Sequence, residues 1–402
     1  MNSASRIIVL GTFDTKWEEH CFLRAAVERC GLEAVTINVG TAQQPPGTVD
    51  IDLFADLKHC GALPAGDRDQ AIAAMVTRGR EQVAELYRQG RVGGVVSAGG
   101  GSGTHLCTRI MRVLPLAVPK VMVSTVASRD MSNVVGTRDI TMMHSVVDLL
   151  GVNSISGILL DQAAAAVCAM AQSRWRAPGK KRRVALSFFG FITPAAEAIR
   201  KDLESRGYEV IAFHANGTGG MALEELAAEG RFDGILDLAT HELADDLVGG
   251  YCAGIGPQRF APVPGRGVPR LVVPGGMDCA VLEFTRADVP EAYRDRPVFF
   301  YDFRSAVRLS ADESRRLAQQ LAGRLNRDPE CVEVLVPLGG WSVADRPDGP
   351  LHAPDISRVF LENFYERLDP AIAVHEVQNH INDPLFANTA VAMMHRMIGE
   401  SA

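Results

Sequence analysis

RIIVLGTFDTKWEEHCFLRAAVERCGLEAVTINVG, residues 6–40, is the stretch on which the fold turns. Residues 6–10 form an apolar run of strand length, and 11–16 a polar turn opened by glycine. Residues 17–30 carry Trp17, Cys21, Leu23 and Val27 with helical spacing, and 34–39 alternate with a strand's period. Strand, glycine turn, helix and strand in succession make the right-handed crossover unit of a parallel sheet.

The same grammar runs outward from there. It predicts a helix over 67–90, a strand over 94–97, a glycine loop, a helix over 104–114 and a strand over 119–124. An alanine-rich helix over 158–172 closes the lobe, and Arg176, Pro178, Gly179 and the run Lys180 to Arg183 read as a solvated linker. A second lobe opens identically, with strands over 184–188, 209–213, 234–238 and 271–273 and helices over 195–206 and from Ala222. Residues 254–274, rich in proline and glycine, read as a long irregular loop that lines a cleft or swaps to a partner. The fold class is therefore α/β: two Rossmann-like, doubly wound parallel-sheet domains, 1–178 and 179–402, with a cleft between them.

Composition agrees with an enzyme-like globular chain: 402 residues suit two domains, with 47% apolar and 22% charged residues. The net charge of −7 argues against nucleic acid as a partner. The eight cysteines lack metal or redox spacing, so reduced, buried thiols are expected. An N-terminus that enters a strand at once, and the lack of any apolar run of membrane-spanning length, point to the cytoplasm and to no membrane partner.

In a parallel sheet the ligand-binding loops gather at the carboxyl ends of the strands. Gly99, Gly100, Gly101, Ser102, Gly103 and Thr104 follow one strand and precede a helix. Glycines tolerate positive φ and let amides approach an anion, and a helix start adds partial positive charge. This is the expected phosphate cradle, although no Lys-Ser/Thr follows the glycines as in a Walker A loop. Gly11, Thr12, Asp14 and Lys16 stand after the first strand, Lys16 as a phosphate clamp, with helix capping the plain alternative for Asp14 and Thr15. Ser124 and Ser128, and then Thr137 in Gly136 to Asp139, are expected sugar or phosphate contacts.

The second lobe offers His214, Ala215, Asn216, Gly217, Thr218, Gly219 and Gly220 as a second anion cradle with an acid-base histidine. Thr240, His241 and Glu242, then Asp278, then His380 follow later strands. His214, His241, Asp278 and His380 are the expected catalytic set, around a second polar pocket. The spacing fits no closed metal signature.

GTFDTK at 11, GGGSGTH at 99, STVASRD at 124, VGTRDITMMHSVVD at 135, HANGTGG at 214, DLATHELADDLVGG at 237, PGGMD at 274 and HINDP at 380 together resemble the Tm-one-like ATP-binding domain family. Its namesake is the N-terminal domain of a plant tobamovirus-resistance protein. The likeness spans residues 11–384 and implies two Rossmann-like subdomains, ATP binding and a homodimer; the expected cofactor is thus ATP, with magnesium its optional companion, and the expected assembly a homodimer or higher homo-oligomer. It does not imply a reaction. Two functions stay open: a nucleotide-binding protein whose ligand organises a dimer or partner surface, and a metabolic enzyme acting on a small acidic or phosphorylated substrate in the second lobe.

Overall fold

The computed structural model describes residues 6–64, 66–175, 179–265 and 267–400. Contacts divide the chain into Met1–Arg176 and Ala177–Ala402. Of the expected linker, residues 176–178 lie outside the described residues.

The N-terminal unit runs β1 (Arg6–Gly11), α1 (Trp17–Arg29), β2 (Ala34–Asn38), β3 (Ile51–Asp52), α2 (Leu53–His59), α3 (Arg68–Arg88), β4 (Val92–Gly99), α4 (Gly101–Met111), β5 (Lys120–Ser124), α5 (Ser132–Val135), β6 (Ile140–His144) and α6 (Ser156–Ala171). Its six strands are parallel in the order β3-β2-β1-β4-β5-β6. The sheet is doubly wound because its central strands are apolar on both faces. Ile8 and Leu10 pack with α2, α3 and α4, whereas Ile7 and Val9 pack with α1 and α6. Winding reverses between β1 and β4, which leaves a crevice at their carboxyl ends.

The C-terminal unit runs β7 (Arg183–Phe188), α7 (Thr193–Ser205), β8 (Glu209–His214), α8 (Thr218–Ala228), β9 (Gly234–Ala239), α9 (Glu242–Val248), β10 (Arg270–Gly275), β11 (Cys279–Leu282), β12 (Val298–Phe300), β13 (Ser305–Arg308), α10 (Ala311–Leu325), β14 (Val332–Pro337), α11 (Pro354–Arg367), β15 (Ala373–Val377) and α12 (Pro384–Glu400). Its parallel sheet has the order β15-β14-β10-β9-β7-β8. A small antiparallel sheet, β11-β13-β12, stands beside it and was not legible as strands in the sequence.

One expectation needs correction. The cysteines are free, but only Cys107, Cys168, Cys252 and Cys279 are buried, while Cys30 and Cys60 are exposed. The irregular stretch after Gly254 lines a cavity of about 370 Å³ through residues 255–258 and 261–264, and anchors itself by Arg259, which has no exposed surface. Among the described residues no helix is long and apolar enough to cross a membrane.

Candidate functional site

The glycine motif is not a loop. Gly100 is the extended N-cap (φ −76°, ψ −167°), and α4 starts at Gly101, so Gly101, Ser102 and Gly103 form its first turn. No glycine from 99 to 103 has positive φ, which corrects the backbone argument for this motif. What the glycines supply is space. A Cβ on Gly99 would lie 3.2 Å from the Gly103 Cα, so a side chain there crowds the turn. Cβ atoms on Gly100, Gly101 and Gly103 would meet only Thr125 Oγ1 at 3.8 Å, Val126 Cγ1 at 4.0 Å and Thr12 Oγ1 at 3.8 Å. There is therefore open space between these three glycines and the loops after β1 and β5, and among the described residues no side chain caps the first amides of α4.

This end of α4 borders a cavity of about 520 Å³, lined by Thr12, Asp14, Thr15, Arg68, Ser102 and Gly103 and, on its apolar side, by Ile72 and Leu106. The Arg68 guanidinium donates to Ser102 Oγ at 3.2 Å, which holds a cation over the start of the helix. Thr15 Oγ1 reaches Thr12 Oγ1 at 3.2 Å. Asp14 is a staple between loops: its Oδ2 accepts from the Ala42 N–H at 3.0 Å, and its carboxyl carbon lies 2.4 Å from where a Gly40 Cβ would sit.

Several predicted contacts fall elsewhere. The Lys16 ammonium donates to the Leu149 carbonyl and does not line the cavity, so it is no phosphate clamp in this arrangement. Gly11 makes room for His20, whose Nε2 would be 2.0 Å from a Cβ there. Burial drives the His20 imidazole down to about 4. Thr104 and Ser124 are buried and share a hydrogen bond of 2.7 Å, fixing α4 to the end of β5 from behind. Ser128 is exposed and outside the cavity lining. Thr137 is at the wrong edge: it precedes β6, next to Asp139, whose carboxylate pairs with Lys120 at the start of β5 at 2.7 Å. Strand starts and strand ends lie at opposite edges of a parallel sheet.

The second anion cradle is real in geometry but already filled. Glu242 Oε1 accepts the N–H groups of Gly217 (2.7 Å) and Gly220 (3.2 Å), while its Oε2 accepts from Arg259 Nε at 3.0 Å. A Cβ on Gly220 would strike that carboxylate at 2.2 Å. Arg259 and Arg270 both pair with Glu224 and Asp237, and no member of this five-residue cluster is more than 7% exposed. Burial pushes the Glu242 carboxyl up. The motif HANGTGG thus receives the protein's own anion, a role invisible without knowing that Arg259 folds back onto α8.

The four predicted catalytic residues form two pairs. His241 is buried and stacked on Phe189 with ring centroids 3.8 Å apart; burial, helped by nearby His214, lowers it to about 3. His214 is exposed at the end of edge strand β8, edge-on to Phe188 at 5.6 Å. Asp278 and His380 meet instead through Ser342. Its hydroxyl donates to Asp278 Oδ2 at 2.8 Å, and its carbonyl accepts from His380 Nε2 at 2.8 Å. Since His380 Nδ1 accepts the Asn382 N–H at 3.0 Å, both nitrogens are committed and the ring acts as a strut. Burial and neighbouring Asp345 raise the Asp278 carboxyl. Two catalytic expectations change with this geometry: His380 has no free nitrogen for proton transfer, and His241 stays neutral at any ordinary pH.

Comparison with known proteins matches the two units separately. Residues 5–176 fit the N-terminal domain, and residues 181–398 the C-terminal domain, of the Uncharacterised protein family (UPF0261). The chain belongs to the UPF0261 family. A UPF0261 protein of Rhizobium meliloti is 36% identical over 96% of this chain and 98% of its own length. The tomato (Solanum lycopersicum) ToMV susceptible protein tm-1(GCR26) is 30% identical over 97% of this chain and 55% of its own length, in keeping with the likeness the motifs carry. Among solved structures, the UDP-N-acetylglucosamine 2-epimerase of Rickettsia bellii aligns with 99% of this UPF0261 chain and 96% of its own at 10% identity, with a TM-score of 0.25, too low to support any functional argument. Arg68 and Arg259 are the residues sequence reading missed. Neither belongs to a recognisable motif, and each gains its role from a partner distant in the chain.

Proposed function

We propose that this UPF0261 protein binds a nucleotide, ATP first among candidates, through the N-terminal unit. The phosphates lie against the amides of Gly101, Ser102 and Gly103, with Thr12, Thr15 and Arg68 around them. One contrast carries the reading. The α8 start is closed by Glu242, whereas the α4 start faces a cavity of about 520 Å³ with a guanidinium beside it. A helix end contributes only about 0.3 to 1 kcal/mol to holding an anion. The individual N–H bonds and the Arg68 charge supply the remainder.

Titration calorimetry with ATP and magnesium tests this. A native-state ligand at a hundredfold excess over Kd stabilises by about 2.7 kcal/mol, so the melting temperature rises in parallel. Arg68→Ala removes a charge-assisted contact and lowers affinity about tenfold or more. Absence of binding by every nucleotide tried at millimolar concentration ends the proposal. Self-association belongs to the same reading, on the family likeness, and sedimentation with and without ATP measures it.

A further inference from the structure

The charges lining the N-terminal cavity are poorly matched to a bare polyphosphate. The lining holds two carboxylates, Asp14 and Asp67, against one guanidinium, Arg68, a formal sum of −1. Both carboxylates are held by backbone amides: Asp67 Oδ1 accepts from the Asp69 and Gln70 N–H groups at 3.0 Å each, and Asp14 Oδ2 from Ala42. The α3 start is thereby neutralised by its own N-cap, and Lys16 is spent on the Leu149 carbonyl. The α4 start adds only about half a positive charge. One phosphate monoester, bringing about 1.5 to 2 negative charges, can be met by the α4 amides and Arg68. Each further phosphate must share the cavity with Asp14 and Asp67.

We infer that this cavity selects its ligand by charge: it takes a phosphate monoester directly, and a nucleoside triphosphate only as a complex with a divalent cation. This rests on the nucleotide reading above. The terminal phosphate of a monoester sits on the α4 amides, and Arg68 turns from the Ser102 hydroxyl to pair with it. A cation travelling with a triphosphate screens the outer phosphates from the two carboxylates, so the lining need supply no further positive charge.

Calorimetry on the full chain separates the possibilities with three probes: AMP, ATP in excess EDTA, and ATP in excess magnesium. AMP and magnesium-ATP are expected to bind, with ATP in EDTA at least about tenfold weaker than either. Asp67→Asn removes a charge while an amide still caps α3. It is expected to recover about fivefold in affinity for ATP in EDTA and to change AMP binding much less. ATP in EDTA binding as tightly as AMP, or no selective gain in Asp67→Asn, overturns the charge selection while nucleotide binding stands. If none of the three probes binds, the nucleotide reading falls and takes this inference with it.

Discussion

Glu242 Oε1 accepts the Gly217 N–H at 2.7 Å, so the start of α8 that sequence motifs offer to a ligand is closed by the protein's own carboxylate. Glu242→Ala leaves that end uncapped and removes one partner from a buried cluster around Arg259. Breaking such a pair costs about 3 to 5 kcal/mol. Glu242→Gln keeps an acceptor for the two glycine amides and should lose less. Urea denaturation of both variants measures the difference, and two variants as stable as the parent would contradict the clamp.

The α4 glycines give an experiment in which stability and binding move oppositely. Gly103 is helical, and a Cβ there meets Thr12 Oγ1 at an ordinary 3.8 Å, so Gly103→Ala should gain up to about 1 kcal/mol of helix stability. The same methyl narrows the gap above the amides, so ATP affinity should fall. Gly99→Ala behaves differently, since its Cβ crowds the Gly103 Cα at 3.2 Å and the fold weakens. Unchanged ATP affinity in Gly103→Ala would remove these amides from the site.

Acid should unfold this protein through its buried histidines. His20 and His241 are held near 4 and 3 in the fold against 6.5 in the unfolded chain. Below 6.5 the unfolded state therefore binds protons that the folded state does not. Each ring's contribution is complete above 6.5 and is lost on acidification at about 1.4 kcal/mol per pH unit until its folded value is reached. Asp278, raised from 3.8 to about 6, works the other way: between those values the folded state holds the extra proton, and stability falls as pH rises. Urea titrations across this range should show His241→Phe, which keeps a ring on Phe189, with a shallower acid loss and Asp278→Asn with a steeper one. Identical slopes in all three proteins would refute the assignment.

His380 should behave as a strut. Losing its bonds to the Ser342 carbonyl and the Asn382 amide in His380→Ala leaves buried groups unpaired, at a cost of about 1 to 3 kcal/mol. The cavity at the start of α4 is lined by N-terminal residues alone, so if ATP binds there its affinity should stay at the parental value. A variant of full stability but altered ligand affinity would return His380 to the candidate catalytic set.

Sequence alone determined the two α/β units and the order of their main elements, because apolar period, glycine turns and crossover handedness are local signals that tertiary packing rarely overrules. It also located the α4 motif, since a glycine cluster between a buried strand and a helix has few uses. It missed β3, β6 and the sheet β11-β13-β12, whose strands are short and whose partners lie across loops of unpredictable path, and it assigned none of α10, β14, α11 and α12 in the last third of the C-terminal unit. Only the tertiary structure decided which cradle is open. GGGSGTH and HANGTGG look equivalent as strings, and what separates them is Glu242 reaching Gly217 across 25 residues, while Arg68 reaches Ser102 across 34. The same holds for the split of His214 and His241 from Asp278 and His380. Hydrogen bonds between distant residues depend on where the packed core delivers each backbone, and no local pattern records that.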